Sequence, residues 1–199
     1  IDDLAAVTGR SGLKLRWRLA VVALVALFCG WWFYDKLDVV SISFPFLSEP
    51  LFLGSLIIPF FTLVALFMYA GGVIDGIDGL AGGTFASIFA AYAGIAFFQN
   101  QLDIAALSAA ISGGLLAFLW FNIPPARFYL SETGTMALTL ALTVIAFLTD
   151  TLGGGKGVSV LPVIAILLVV TVLSNILQVF GKKVLGRKIF RIAPLHHHF

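Results

Sequence analysis

Apolar residues fall along this chain in long blocks, neither alternating as in a strand nor confined to one helical face. Six blocks lie at about 17–34, 51–70, 80–98, 104–121, 134–149 and 158–180, and none has a charged residue in its middle. Each approaches the ~20 residues that a helix needs to cross the hydrocarbon layer of a bilayer. The fifth is the shortest, and either tilts little or borrows neighbouring residues. The links between blocks are short, which makes consecutive helices antiparallel. Small residues in GLAGGTFASIFAAYAG and AALSAAISGGLLAF favour close helix contact in lipid. Trp17, Trp31, Trp32 and Trp120 stand near block ends, where interfacial aromatics collect. The expected fold class is all-α: a polytopic membrane helix bundle with about six transmembrane helices, forming one domain over 1–199.

Composition strengthens that picture. The chain is 60% hydrophobic and 11% charged, with mean hydropathy +1.07, whereas a soluble domain carries about a quarter charged residues. A larger soluble core cannot explain the difference, because a soluble surface needs charge. The single cysteine, Cys29, rules out a disulfide within the chain. The first residues lack an initiator Met and do not read as a signal peptide. Both ends are expected to be cuts in a longer protein.

The net charge of +2 matters less than its placement. Alternating the links puts 1–16, 71–79, 122–133 and 181–199 on one side, and 35–50, 99–103 and 150–157 on the other. The first side, with Arg18 counted in its flank, holds ten of the twelve Lys and Arg; the second holds Lys36 and Lys156. The positive-inside bias makes the first side cytoplasmic. The same side gathers Asp2, Asp3, Asp75, Asp78, Glu132, His196, His197 and His198 from four separate links. Such convergence is what a metal-dependent site for a soluble, anionic substrate requires.

Each motif has an ordinary alternative. Asp2 and Asp3 form a pair able to share a proton or hold a hard cation, or are a solvated helix end. Asp75 and Asp78 stand three apart among glycines in GGVIDGIDGLAGG, on one face if a helix has begun. Capping and dipole effects explain one such acid more readily than two. Pro124-Pro125 stiffens a loop containing Asn122, Arg127 and Tyr129, after which Glu132 stands just before a new helix. The basic stretch GKKVLGRKIFR suits anionic headgroups, but the three histidines after it better suit phosphate recognition. GGGKG, 153–157, fails the phosphate-loop pattern because Gly157 follows Lys156; it reads as a flexible turn on the far side.

Asp2-Asp3, IDGIDGLAGG, FLWFNIPPARFYLSETG, LSNILQVFGKKVLGRKIFR and APLHHHF together resemble the polyprenyl-phosphate N-acetylhexosamine-1-phosphate transferases, and within them the phospho-N-acetylmuramoyl-pentapeptide transferase branch. The PLHHHF ending is the most discriminating piece. The resemblance covers essentially the whole chain and implies about ten spans in a complete member. It also implies transfer of phospho-MurNAc-pentapeptide from UDP-MurNAc-pentapeptide to undecaprenyl phosphate, with Mg²⁺, giving lipid I and UMP for peptidoglycan synthesis. Residue by residue, it implies that Asp2 and Asp3 lie near the metal and lipid phosphate, one of them as a base. Asp75 and Asp78 then line the nucleoside site, Asn122 and Tyr129 lie near the uracil, and Gln178 lies near the substrate. Glu132 takes the metal-binding acid position, and His196–His198 match the histidine motif. A bacterial plasma-membrane location and a homodimer are further implications; no nucleic-acid partner is expected.

Three departures accompany the resemblance. SETGT stands where the pattern is GDxGS, so Glu132 keeps the carboxylate and adds a methylene. Gly72 stands in place of an asparagine, and Ala6 in place of a lysine, in a loop about two residues shorter. Two other functions compete: a sister transferase using UDP-N-acetylglucosamine, and a multi-span transporter. A transporter usually carries ionisable groups or broken helices at mid-membrane, whereas these acids sit at one face.

Overall fold

A computed structural model describes residues 14–43, 50–74, 77–152, 157–184, 186–187 and 189–190. Among the described residues, seven α-helices carry the fold: α1 (Leu15–Lys36), α2 (Ile57–Gly71), α3 (Leu80–Phe98), α4 (Leu102–Asn122), α5 (Ser131–Leu152), α6 (Gly157–Ile164) and α7 (Ile166–Val184). Two-residue strands β1 (Ser41–Ile42) and β2 (Leu51–Phe52) pair antiparallel between α1 and α2. Among the described residues, six helical segments are long and apolar enough to cross a membrane, so the all-α membrane bundle expected from the sequence is the fold observed.

The boundaries refine the expectation. The second block opens with β2 and a 3-10 turn at Gly54–Leu56 before α2 begins. The fifth, apparently short, grows to 22 residues, about 33 Å at 1.5 Å per residue, by taking in Glu132 at its start and Asp150 near its end. The sixth, expected as one span over 158–180, is two helices meeting at Ala165. Pro162 lies inside α6; it has no N–H to return to the preceding turn, and its ring crowds that turn's carbonyl.

Links alternate between two ends of the bundle, as antiparallel packing requires. At one end, Asn100, with φ 60°, reverses the chain between α3 and α4; Asn tolerates this left-handed region better than most residues. Nearby, the Asp150 carboxylate accepts a hydrogen bond from the Val158 N–H at 3.4 Å, tying the start of α6 to the end of α5. The Tyr92 hydroxyl donates to the Gly157 carbonyl at 2.8 Å. A side chain on Gly157 would meet the Ala146 carbonyl and the Asp150 backbone nitrogen. Gly157 is therefore a packing position, not the flexible turn expected; 153–156 lie outside the described residues.

Among the described residues, two apolar clusters form the core. Phe33, Phe61 and Phe147 stack between α1, α2 and α5, with ring centroids 4.6–5.8 Å apart. A larger cluster joins α2, α3, α5 and α7 around Phe85, Phe89, Leu142 and Leu168. Only some of the small residues serve contact: Gly82 abuts Leu119, and the Ser112 hydroxyl donates to the Ala86 carbonyl at 2.9 Å. Gly83, Gly94, Gly113 and Gly114 face open space. Buried Thr139, Thr143 and Thr149 on α5 donate to carbonyls one turn back, so their polarity is satisfied within the helix.

Candidate active site

The other end of the bundle brings together the start of α1, the end of α2, the start of α3, the end of α4 and the start of α5. Its centre is Glu132, in the first turn of α5, where the partial positive charge of a helix N-terminus favours a carboxylate. Ser131, just before it, has φ 61°, a conformation that favours glycine over serine. Arg18 from α1 places a guanidinium nitrogen 2.8 Å from Glu132 Oε1. The Tyr69 hydroxyl, from the end of α2, donates to Glu132 Oε2 at 3.2 Å. Three helices thus converge on one carboxylate.

Beside this centre, Asp78 and Asn122 stitch two loops to each other. Asp78 Oδ2 accepts from the Ala126 N–H at 3.0 Å. Asn122 Oδ1 accepts from the Gly79 N–H at 3.0 Å, and its amide donates to the Phe128 carbonyl at 2.7 Å. Gly79 enters α3 with φ 79°, which a residue with a Cβ would strain to adopt. The pair fixes the rigid 123–130 loop over the start of α3, leaving Tyr129 61% exposed at its edge. An exposed ring on an anchored loop is suited to stacking on a planar base.

Gln178 on α7 takes a different part. Its Oε1 accepts from the N–H groups of Ile189 and Phe190 at 3.1 and 2.9 Å, and its amide donates to the Phe190 carbonyl at 3.0 Å. The side chain holds the segment that follows α7 folded back against the helix. Asp2, Asp3, Asp75, His196, His197 and His198 lie outside the described residues. Arg18 and Tyr69 were not among the residues expected from sequence. Arg18 counted only as interfacial charge, and Tyr69 lies in an apolar block with nothing to mark it.

Among the described residues, no three His, Cys, Asp or Glu form a metal-holding cluster. Glu132 alone still fits a hard divalent cation. Its side chain is 48% exposed, and the contacts to Arg18 and Tyr69 occupy two of about four lone-pair sites. Mg²⁺ commonly takes only one or two protein carboxylates, completing its shell with water and substrate phosphates.

The model of glycosyl transferase family 4 matches residues 1–150. Among similar proteins, the phospho-N-acetylmuramoyl-pentapeptide-transferase of Caldanaerobacter subterraneus is 37% identical over 193 residues, covering 94% of this chain and 58% of its own length. The protein of the same name from Anoxybacillus flavithermus is 37% identical over 206 residues, covering 100% of this chain and 60% of its own. That from Bacillus subtilis is 43% identical over 142 residues, covering 69% and 42%. The chain therefore spans less than two thirds of the length of these relatives.

Proposed function

The chain belongs to glycosyl transferase family 4, and from that premise we propose that the full-length protein transfers phospho-MurNAc-pentapeptide from its UDP conjugate to undecaprenyl phosphate, releasing UMP and forming lipid I. The observation that carries this reading is the match, along nearly the whole chain, to proteins named for that transfer. We place the end of the bundle bearing Glu132 at the cytoplasmic face of a bacterial plasma membrane, on the side where ten of the twelve Lys and Arg lie. A water-soluble nucleotide donor and a lipid acceptor whose phosphate sits at headgroup level can meet there.

Within this reading the chain's own groups divide the work. Asp78 and Asn122 hold the 123–130 loop so that Tyr129 can cover the uracil. Glu132, with Asp3 as second ligand, holds Mg²⁺. When bound, the cation neutralises the charge that builds on the diphosphate as the phosphoryl group leaves UMP. Asp2 or Asp3 removes the proton of the acceptor phosphate, with Asp75 beside the donor and His196–His198 stabilising phosphate charge. Gln178 holds the segment leading to those histidines.

The test is lipid I formation by the full-length protein, with UDP-MurNAc-pentapeptide and UDP-N-acetylglucosamine offered separately. Mg²⁺-dependent UMP release with the first supports the reading; turnover of the second alone replaces it with the sister transferase. Glu132→Ala should lower the rate at least a hundredfold while leaving the protein folded. A near-normal rate for that variant would remove Glu132 from the metal site.

A further inference from the structure

We propose that Arg18 is a ligand for the diphosphate of the nucleotide sugar, kept in place by Glu132 until the substrate arrives. The proposal rests on the transferase reading above and adds a contact that reading does not contain. Arg18 lies in the first turn of α1, against the carboxylate assigned above to the divalent cation, with Nη1 2.8 Å from Glu132 Oε1. Tyr69 fixes the other carboxylate oxygen, so Glu132 cannot swing away from the guanidinium without losing both contacts. The Arg18 side chain is 21% exposed and that of Glu132 48%. A solvent-borne anion therefore meets a site whose positive charge is recessed but not sealed.

The chemistry follows from charge balance. A guanidinium is a planar fork of five donors, matched to carboxylate and phosphate oxygens alike, and it can hold one of each. With nothing bound, Glu132 and Arg18 neutralise one another. An arriving diphosphate brings new negative charge to the same point and competes with the carboxylate for the guanidinium. Arg18 then turns part of its fork from carboxylate to phosphate. Tyr69 is a positioning residue: it steers the carboxylate and touches neither substrate nor cation.

Binding without divalent cations isolates this contact from catalysis. With the full-length protein in nanodiscs and EDTA present, UDP and uridine affinities are measured by calorimetry. Arg18→Gln should weaken UDP about tenfold and leave uridine within twofold, with Arg18→Lys between. Glu132→Gln should have the opposite sign, tightening UDP severalfold, because the guanidinium loses its carboxylate partner; a structural defect would not do this. An unchanged ratio of UDP to uridine affinity in Arg18→Gln overturns the assignment. So does parallel weakening of both ligands with a lower melting temperature, which would make Arg18 structural only. Wild-type protein that binds neither ligand overturns the transferase reading, and this proposal with it.

Discussion

Gly72 shows how far a residue's meaning depends on its neighbour. From sequence it was a lost polar ligand, a glycine where the resembled family places asparagine. In the structure, a Cβ at Gly72 would overlap Cγ2 of Thr135 and come within 3.3 Å of Cγ2 of Thr139. The glycine and the Thr135 methyl therefore fill one volume between them, and Thr135 is the position where the resembled pattern reads serine. Gly72→Asn alone should lower stability by about 1–3 kcal/mol, the usual cost of overpacking, seen as a lower unfolding midpoint in detergent. Adding Thr135→Ser removes the obstructing methyl while keeping the hydroxyl that donates to the Ser131 carbonyl, and should recover most of the loss. Equal instability with and without the serine would break the coupling. Asp78, Asn122 and Glu132 stood out one by one in the sequence, because polar groups at the ends of apolar blocks are conspicuous. Their partners did not: Tyr69 and Glu132 are 63 residues apart, and nothing in local pattern joins them.

Among the elements, α7 and the segment after it show the same division. Periodicity and hydropathy mark α7 as a helix, but not that the chain doubles back on it. The reversal uses Gly186 at φ 63° and three hydrogen bonds with Gln178, two accepted and one donated by its side chain. It also needs Gly181 bare, because a Cβ there would stand 2.5 and 2.7 Å from Cγ1 and Cδ1 of Ile189. Gly181→Ala should loosen this fold-back and raise hydrogen exchange at the Ile189 and Phe190 amides about tenfold, the equivalent of ~1.4 kcal/mol. Ile189→Ala removes both obstructing atoms and should restore protection in the double variant, as measured by exchange and mass spectrometry. Exchange that stays unchanged in Gly181→Ala would show that the helix end can yield. The division of the sixth block into α6 and α7 falls three residues after Pro162, yet a proline within an apolar run marks a kink as readily as a break.

At the scale of the whole molecule, topology was the most legible feature, because lipid leaves the backbone few options. Spanning segments must satisfy their own hydrogen bonds, so hydropathy alone locates them, and short links fix their alternation. Contacts at both ends agree with the alternation: Arg18, Tyr69 and Glu132 meet at one, Tyr92, Asp150 and Val158 at the other. Which end faces the cytoplasm is a separate question, resting on the ten-to-two division of Lys and Arg. Single cysteines in a Cys29→Ala background decide it. Cysteine at Lys36 or Asn100 should react with an impermeant maleimide added to intact spheroplasts, whereas cysteine at Arg127 or Arg187 should react only after lysis. The reverse pattern would put Glu132 outside, where no cytosolic UDP-sugar could reach it, and the proposed reaction would fail however well the site residues fit. The orientation thus constrains the chemistry more tightly than any one side chain does.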